Sequence, residues 1–175
     1  SLTATVGQGI LVKIAVYCRE KGMSAQQAFE KLSALKGCIQ HCIIPDDLNY
    51  LKRGGRISST AAAVGTLLNI KPILHLTTGK LESYKKARGM NKACETMLES
   101  IRSDLAIRFQ EAHARGDVHL LAAGSADPLT TAKWLKQIEA AFPGMPILYD
   151  DLSMGVSCHT GEGALGIGLS VRPQV

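Results

Sequence analysis

Aromatic residues are scarce in this 175-residue chain, at 5%, which removes the stacking platform that single-stranded nucleic acids need. No apolar run reaches the roughly 18–20 residues that span a bilayer, because Lys13, Arg19, Lys71 and His75 interrupt the greasiest stretches. No stable membrane insertion is expected. The five cysteines (Cys18, Cys38, Cys42, Cys94, Cys158) include no CxxC pair and are odd in number. That argues against a disulfide framework and for a reducing, cytoplasmic setting. Cys38, His41 and Cys42 lie close in sequence, but zinc takes about four ligands at defined spacings, so buried structural cysteines and no metal are expected. Neither a secretory signal after Ser1 nor a GxSxG elbow is present, and hydrolase chemistry is unsupported.

A hydrophobic fraction of 46% against 20% charged residues lies outside the disordered regime, so the chain folds. Its charge is uneven. From Lys52 to Lys92 nine Lys/Arg face a single acid, Glu82, giving +8 in a chain whose net charge is +5. The asymmetry points to an anionic partner: nucleic acid, a phosphorylated or carboxylated ligand, or an acidic protein surface.

Hydrophobic spacing predicts a helix from Gly7 to a C-cap at Gly22, and a capping box at Ser24–Gln27 opens a second helix towards Gly37. A strand over Cys38–Ile44 follows. Asp46-Asp47 cap a short helix through Leu48 and Leu51 that Gly54-Gly55 end. Ser58 or Ser59 opens another across Ala61, Val64, Leu67 and Leu68. Ile70–Leu76 and Leu81–Lys86 read as an antiparallel pair, and a long helix is expected from Asn91 to His113. Then come a strand at Val118–Ala123, a helix opened by Asp127-Pro128, and strands at Pro146–Tyr149, Gly155–Cys158 and Ala164–Val171. The order is α/β or α+β with a mixed sheet. A boundary near 44/45 would separate a helical hairpin and strand, residues 1–44, from an α/β lobe, residues 45–175.

Gly161-Glu162-Gly163-Ala164-Leu165-Gly166 is a formal GxGxxG, but the dinucleotide fingerprint joins a first strand to a first helix and needs an acid about 20 residues on. Here the glycines are read as a tight turn. Before them His159 and Thr160 could donate to a carboxylate or phosphate, with backbone N–H groups of Gly161 and Gly163 joining. A satisfied structural His is the alternative. Gly54 and Gly55 expose backbone ahead of Arg56 and Ser58, which forms an anion seat or else a capped, solvated basic loop. The small residues Ala61–Gly65, with Leu67 and Leu68 beyond, suit close helix–sheet packing or the wall of a ligand tunnel in which Ala62, Gly65 and Leu68 take part.

Four segments carry a resemblance. Leu48-x-Tyr50-Leu51-Lys52-x-Gly54-Gly55-Arg56-Ile57-Ser58, Gly65-x-Leu67-Leu68-Asn69-Ile70-Lys71-Pro72-Ile73-Leu74, Lys86-x-Arg88-Gly89-x-x-Lys92-Ala93 and His159-Thr160-Gly161-x-Gly163-Ala164-Leu165-Gly166-Ile167-Gly168 resemble, in order, the DegV family of bacterial fatty-acid-binding proteins. The resemblance implies a two-lobed α/β fold that holds a long-chain fatty acid between its lobes. It further implies no catalytic residue, cofactor or metal of the protein's own, and a carboxylate presented to an ATP-dependent fatty acid kinase subunit for phospholipid synthesis. It places Arg56, His159 and Thr160 at the head group. It also implies that this chain is a C-terminal portion whose opening hairpin belongs to a missing N-terminal lobe. Glu162 stands where the family's turn has a proline, adding negative charge near the expected carboxylate. The competing reading is a nucleic-acid-binding module using residues 52–92; an enzyme built around His159 is a third.

Overall fold

The computed structural model describes residues 5–35, 39–58, 63, 65–77 and 80–171. In chain order these form α1 (Thr5–Glu20), α2 (Ala25–Leu35), β1 (Ile39–Ile44), α3 (Leu48–Arg53), β2 (Ile70–Thr77) and β3 (Lys80–Arg88). There follow α4 (Met90–Ile107), α5 (Gln110–Ala114), β4 (Val118–Gly124), α6 (Pro128–Ala141), β5 (Ile147–Asp151), α7 (Met154–Thr160) and β6 (Leu165–Val171). Ala63 and residues 65–67 are also helical. The rest of the expected small-residue helix, with Ala61, Ala62 and Val64, lies outside the described residues.

The strands make one mixed sheet in the order β3-β2-β1-β6-β4-β5. Only β4 and β5 are parallel; the other pairs are antiparallel. Strand β1, grouped with the helical hairpin in the sequence reading, is hydrogen-bonded between β2 and β6. The capping box is reciprocal: Gln27 N–H donates to Ser24 Oγ at 3.2 Å, and Ser24 N–H to Gln27 Oε1 at 2.9 Å. Each helix of the hairpin contributes an apolar stripe, Leu11, Ile14 and Cys18 from α1 against Ala28 and Leu32 from α2.

Side chains on one face of the sheet, including Cys42, Ile44, Ile73, Leu120, Ile167 and Leu169, pack under α4 and α6. Trp134 is fully buried there and donates from Nε1 to Gly166 O at 3.1 Å. The second face carries a smaller cluster in which Ile43, Leu74, Leu121 and Ala123 meet Leu48 and Leu51 of α3.

Two expectations are corrected. The long helix does not run unbroken to His113. Arg108 and Phe109 N–H both converge on Asp104 O at 2.9 Å, and Phe109 leaves helical geometry at φ −120°, ψ 18° to bury its ring. The apolar periodicity continues across the break, so no Gly or Pro marks it. Gly155–Cys158 is helix α7 rather than a strand. Ser153 O accepts from Val156 and Ser157 N–H, both at 2.9 Å, and the segment packs on α3 instead of pairing along the open edge of β5.

Cys18, Cys42 and Cys94 are buried and Cys158 is exposed; burial pushes the Cys42 thiol up to about 12 and the Cys94 thiol up to about 11. Alkylation of the folded protein at mildly alkaline pH should therefore mark Cys158 and spare Cys42 and Cys94 until urea is added, as read by peptide mapping. Equal labelling of Cys42 and Cys158 would contradict the packing. His75 stacks on Tyr84, with centroids 3.8 Å apart and planes at 11°, and burial lowers its pKa from the ordinary 6.5. The fold thus prefers the neutral ring, and that preference is complete above pH 6.5 and lost as pH falls through the folded value. Between pH 7 and 5 the urea midpoint of the wild type should drop further than that of His75→Phe.

Candidate ligand-binding site

The carboxyl ends of β1, β4 and β5 and the start of β6 meet at one end of the sheet, where Leu165 is in register with both Ile44 and Gly124, and Gly124 with Asp151. Ligands of open α/β sheets gather beyond strand carboxyl ends, and here the connections lead into α3, α6 and α7. Both short helices, α3 and α7, lie at this end and pack on each other.

Helix α3 starts at Asp47, whose carboxylate accepts from Asn49 N–H at 2.8 Å. It closes in a Schellman motif: Gly55 N–H donates to Lys52 O at 3.0 Å and Arg56 N–H to Leu51 O at 2.8 Å, while Gly54 N–H reaches Tyr50 O at 2.9 Å. The motif needs a left-handed residue at the first position past the cap, and Gly55 supplies it at φ +66°. The N–H groups of Gly54, Gly55 and Arg56 are thereby occupied. Of the expected anion seat, the loop offers side chains: Arg56 and Ser58 are exposed, and among the described residues no carboxylate pairs with Arg56.

The function of Gly54 is steric. A Cβ built on it would lie 2.5 Å from His159 Nδ1, so the imidazole rests on the bare backbone of α3's C-terminus. His159 Nδ1 is buried and has no hydrogen-bond partner among the described residues. Next to it Thr160 is fully buried and its hydroxyl donates to Val156 O at 3.3 Å within α7.

The turn that follows is held from three sides. A Cβ on Gly161 would collide with the Tyr50 ring, and one on Gly163 would lie 2.9 Å from Asp46 Cβ. Asp46 is itself tied down, its Oδ1 2.5 Å and its carbonyl oxygen 2.6 Å from Lys71 Nζ. The third support is Ser125, just past β4. Its Oγ donates to Gly161 O at 2.6 Å and accepts from Ala164 N–H at 3.2 Å, its N–H donates to Ala164 O at 2.9 Å, and its carbonyl accepts from Gly163 N–H at 3.1 Å. Gly161 N–H bonds Ser157 O at 2.7 Å. The expected donors Gly161 and Gly163 therefore have their N–H groups engaged, and both serve close approach instead. The formal GxGxxG joins a helix to a strand, the reverse of the dinucleotide arrangement.

The structure thus brings together Gly54, His159, Thr160, Gly161 and Gly163, with Arg56 and Ser58 on the adjoining loop. Of the expected tunnel wall, Ala62 lies outside the described residues. Gly65 is buried, with Leu48 Cδ1 2.6 Å from where its Cβ would be, and Leu68 is about half exposed. Sequence reasoning missed Tyr50, Asp46, Lys71 and Ser125 as parts of this assembly. Spaced glycines signalled only that something approaches closely, not what. Among the described residues no group of three or more His, Cys, Asp or Glu could hold a metal ion, and no helix is long and apolar enough to cross a membrane.

Gly161→Ala must place a Cβ both at φ +77° and in the Tyr50 ring, a combined cost of about 2–4 kcal/mol. Gly9, helical with open space around it, should instead gain about 0.5–1 kcal/mol on substitution by Ala. Urea unfolding followed through Trp134 fluorescence distinguishes the two; a neutral Gly161→Ala would refute the interlock.

The family model of DegV, described as a family of uncharacterised proteins, matches residues 1–172. A DegV domain-containing protein of Clostridium perfringens is 31% identical over 166 residues, covering 94% of this chain and 54% of its own length. The crystal structure of a fatty acid binding DegV family protein from Streptococcus agalactiae superposes with a TM-score of 0.77 at 28% identity, over 95% of this chain and 56% of that one. A DegV family protein from Thermus thermophilus, whose structure is described for its fatty acid binding, gives 0.77 at 31% identity, over 97% and 59%. The chain thus spans a little over half the length of these relatives. With a family model matched nearly end to end and the fold shared with solved members, the chain belongs to the DegV family.

Proposed function

We propose that the protein binds a long-chain fatty acid without transforming it, holding the carboxylate at His159 with Arg56, Thr160 and Ser58 and laying the tail along apolar surface. The observation that carries this reading is the buried, unpartnered Nδ1 of His159. An unmet buried polar atom costs about 1–3 kcal/mol, so the ring would gain by turning this nitrogen from Gly54 towards a partner such as a carboxylate. Arg56, unpaired with any described carboxylate, would add a charge-assisted contact. Thr160 would join only by turning its hydroxyl away from Val156 O. The two relatives described as fatty acid binding, at 28% and 31% identity, support the same ligand class.

Affinity would come mainly from the tail, at about 0.8 kcal/mol per buried CH₂. The exposed Leu67 and half-exposed Leu68 would supply apolar surface for it. On this reading the protein is a carrier. The chemistry would then belong to a separate ATP-dependent kinase that phosphorylates the presented carboxylate, in a cytoplasmic setting where ATP is available.

Native mass spectrometry of the purified protein, followed by denaturation and organic extraction, should find a co-purified fatty acid. Its occupancy should fall at least tenfold in His159→Ala and in Arg56→Ala, and should hold in 0.5 M salt. A nucleic-acid complex of the basic stretch would instead weaken by orders of magnitude as salt rises. Equal fatty acid occupancy in wild type and both variants would refute the head-group assignment.

A further inference from the structure

We infer that Ser125 is a positioning residue for His159, acting through the turn Gly161–Ala164; the inference rests on the fatty-acid reading above. Gly163 is the third residue of that turn and has φ +77°, the left-handed value that a type II turn requires at that place. In such turns the second position commonly carries Pro, whose ring fixes φ before folding. Here the second position is Glu162, exposed and free in φ. The turn's stiffness must come from elsewhere.

Ser125 provides it. Its hydroxyl sits between the two groups that a tight turn would bond directly, donating to the carbonyl of the first residue, Gly161, at 2.6 Å and accepting from the N–H of the fourth, Ala164, at 3.2 Å. Its own backbone adds bonds to Ala164 O and from Gly163 N–H. One residue at the carboxyl end of β4 therefore bridges the turn with its side chain and pins it with its main chain. The side-chain bridge is the part a mutation can remove. Gly161 is the C-cap of α7 and is bonded to Ser157 O, so the turn sets where α7 ends and hence how His159, two residues earlier, meets Gly54. Without the hydroxyl, Gly161 O and Ala164 N–H lose their partner, and the end of α7 gains freedom.

The consequence is a chemical rescue. Glu162→Pro should restore by covalent restraint what the hydroxyl supplies by hydrogen bonding. Among the described residues no hydrogen bond from the Glu162 N–H is formed, and Gly161, at φ +77° and ψ −174°, is a glycine outside the α region, so a following proline ring meets neither its N–H nor a Cβ. Since removing Glu162 also removes a negative charge near the head group, Glu162→Gln serves as the charge control.

The test uses carboxyl-¹³C-labelled palmitate, with its dissociation constant and carboxylate chemical shift measured alongside the urea midpoint for each variant. His159→Ala should lose binding. Ser125→Ala should weaken binding about tenfold, the worth of one lost hydrogen-bond bridge, and broaden the His159 ring resonances. Ser125→Ala/Glu162→Pro should recover most of that loss, and Ser125→Ala/Glu162→Gln should not. In the Ser125 wild-type background, Glu162→Pro should bind no more weakly than Glu162→Gln. Undiminished binding by His159→Ala would defeat the fatty-acid reading itself. Loss in His159→Ala with wild-type affinity and His159 resonances in Ser125→Ala would defeat only the positioning role, as would recovery by Gln equal to that by Pro.

Discussion

The end of the sheet where β1, β4 and β5 finish depends on backbone approaching side chains without an intervening Cβ. Gly54 gives His159 a seat, Gly161 receives the Tyr50 ring, and Gly163 receives Asp46. These contacts run both ways between the β1–α3 connection and the α7–β6 connection. Helices of six and seven residues are far below the length that is stable alone, so α3 and α7 exist because they are capped at the sheet end and locked together. A contact against bare backbone has no rotamer through which to relax. A group bound at His159 is therefore coupled directly to the end of α3, and through it to the loop carrying Arg56.

The two faces of the sheet divide the work. The face under α4 and α6 holds the larger core, with Met97, Ile101, Trp134 and Ile138 fully or almost fully buried. Strand β6 shows the asymmetry residue by residue: Leu165, Ile167 and Leu169 belong to that core, while Gly166, Gly168 and Ser170 alternate with them and face the opposite side. On that side β6 is nearly bare backbone between Ile43 of β1 and Ala123 of β4, its register neighbours at Gly166. A thin central strand lets the short helices sit close to the sheet. Strength is built on one face and the site on the other.

Much of this was legible wherever a local rule decides the outcome. The capping box at Ser24, the Asp47 and Asp127 caps, the glycine stop after α3 and the β2–β3 hairpin each follow from chemistry within a few residues, and each formed. The errors fall where tertiary contacts decide. Val156 amid polar neighbours reads as a strand, yet the segment coils into α7 and packs on α3. Unbroken apolar spacing across Leu105, Phe109 and Ala112 concealed the break before α5, because Phe109 keeps its buried place after the helix bends. At the site the glycines were read as donors, whereas most of their N–H groups close turns and caps. A sequence records that a Cβ is missing; only the fold shows which neighbour fills the space. For the same reason a lone Ser125 after a strand carried no signal.

The basic stretch shows how a charge count and a charge field differ. Nine cations between Lys52 and Lys92 suggested a footprint for a polyanion, which requires unspent charge gathered on one face. In the fold several are structural. Lys71, with a side chain only 15% exposed, pairs with Asp46 and thereby braces the Gly163 turn. Lys92 pairs with Glu95, and Arg53 and Lys85 lie over the rings of Tyr50 and Tyr84 at 5.7 and 4.8 Å. Lys71 is the instructive case, because a largely desolvated ammonium must keep its partner: removing the half-exposed Asp46 would strand its charge. Its charge therefore organises the site rather than attracting a ligand. Beside the imidazole this leaves Arg56, exposed and without a described carboxylate partner. Under the proposed reading, one exposed guanidinium on the loop after α3 and one imidazole seated on Gly54 would serve a single carboxylate rather than a row of phosphates.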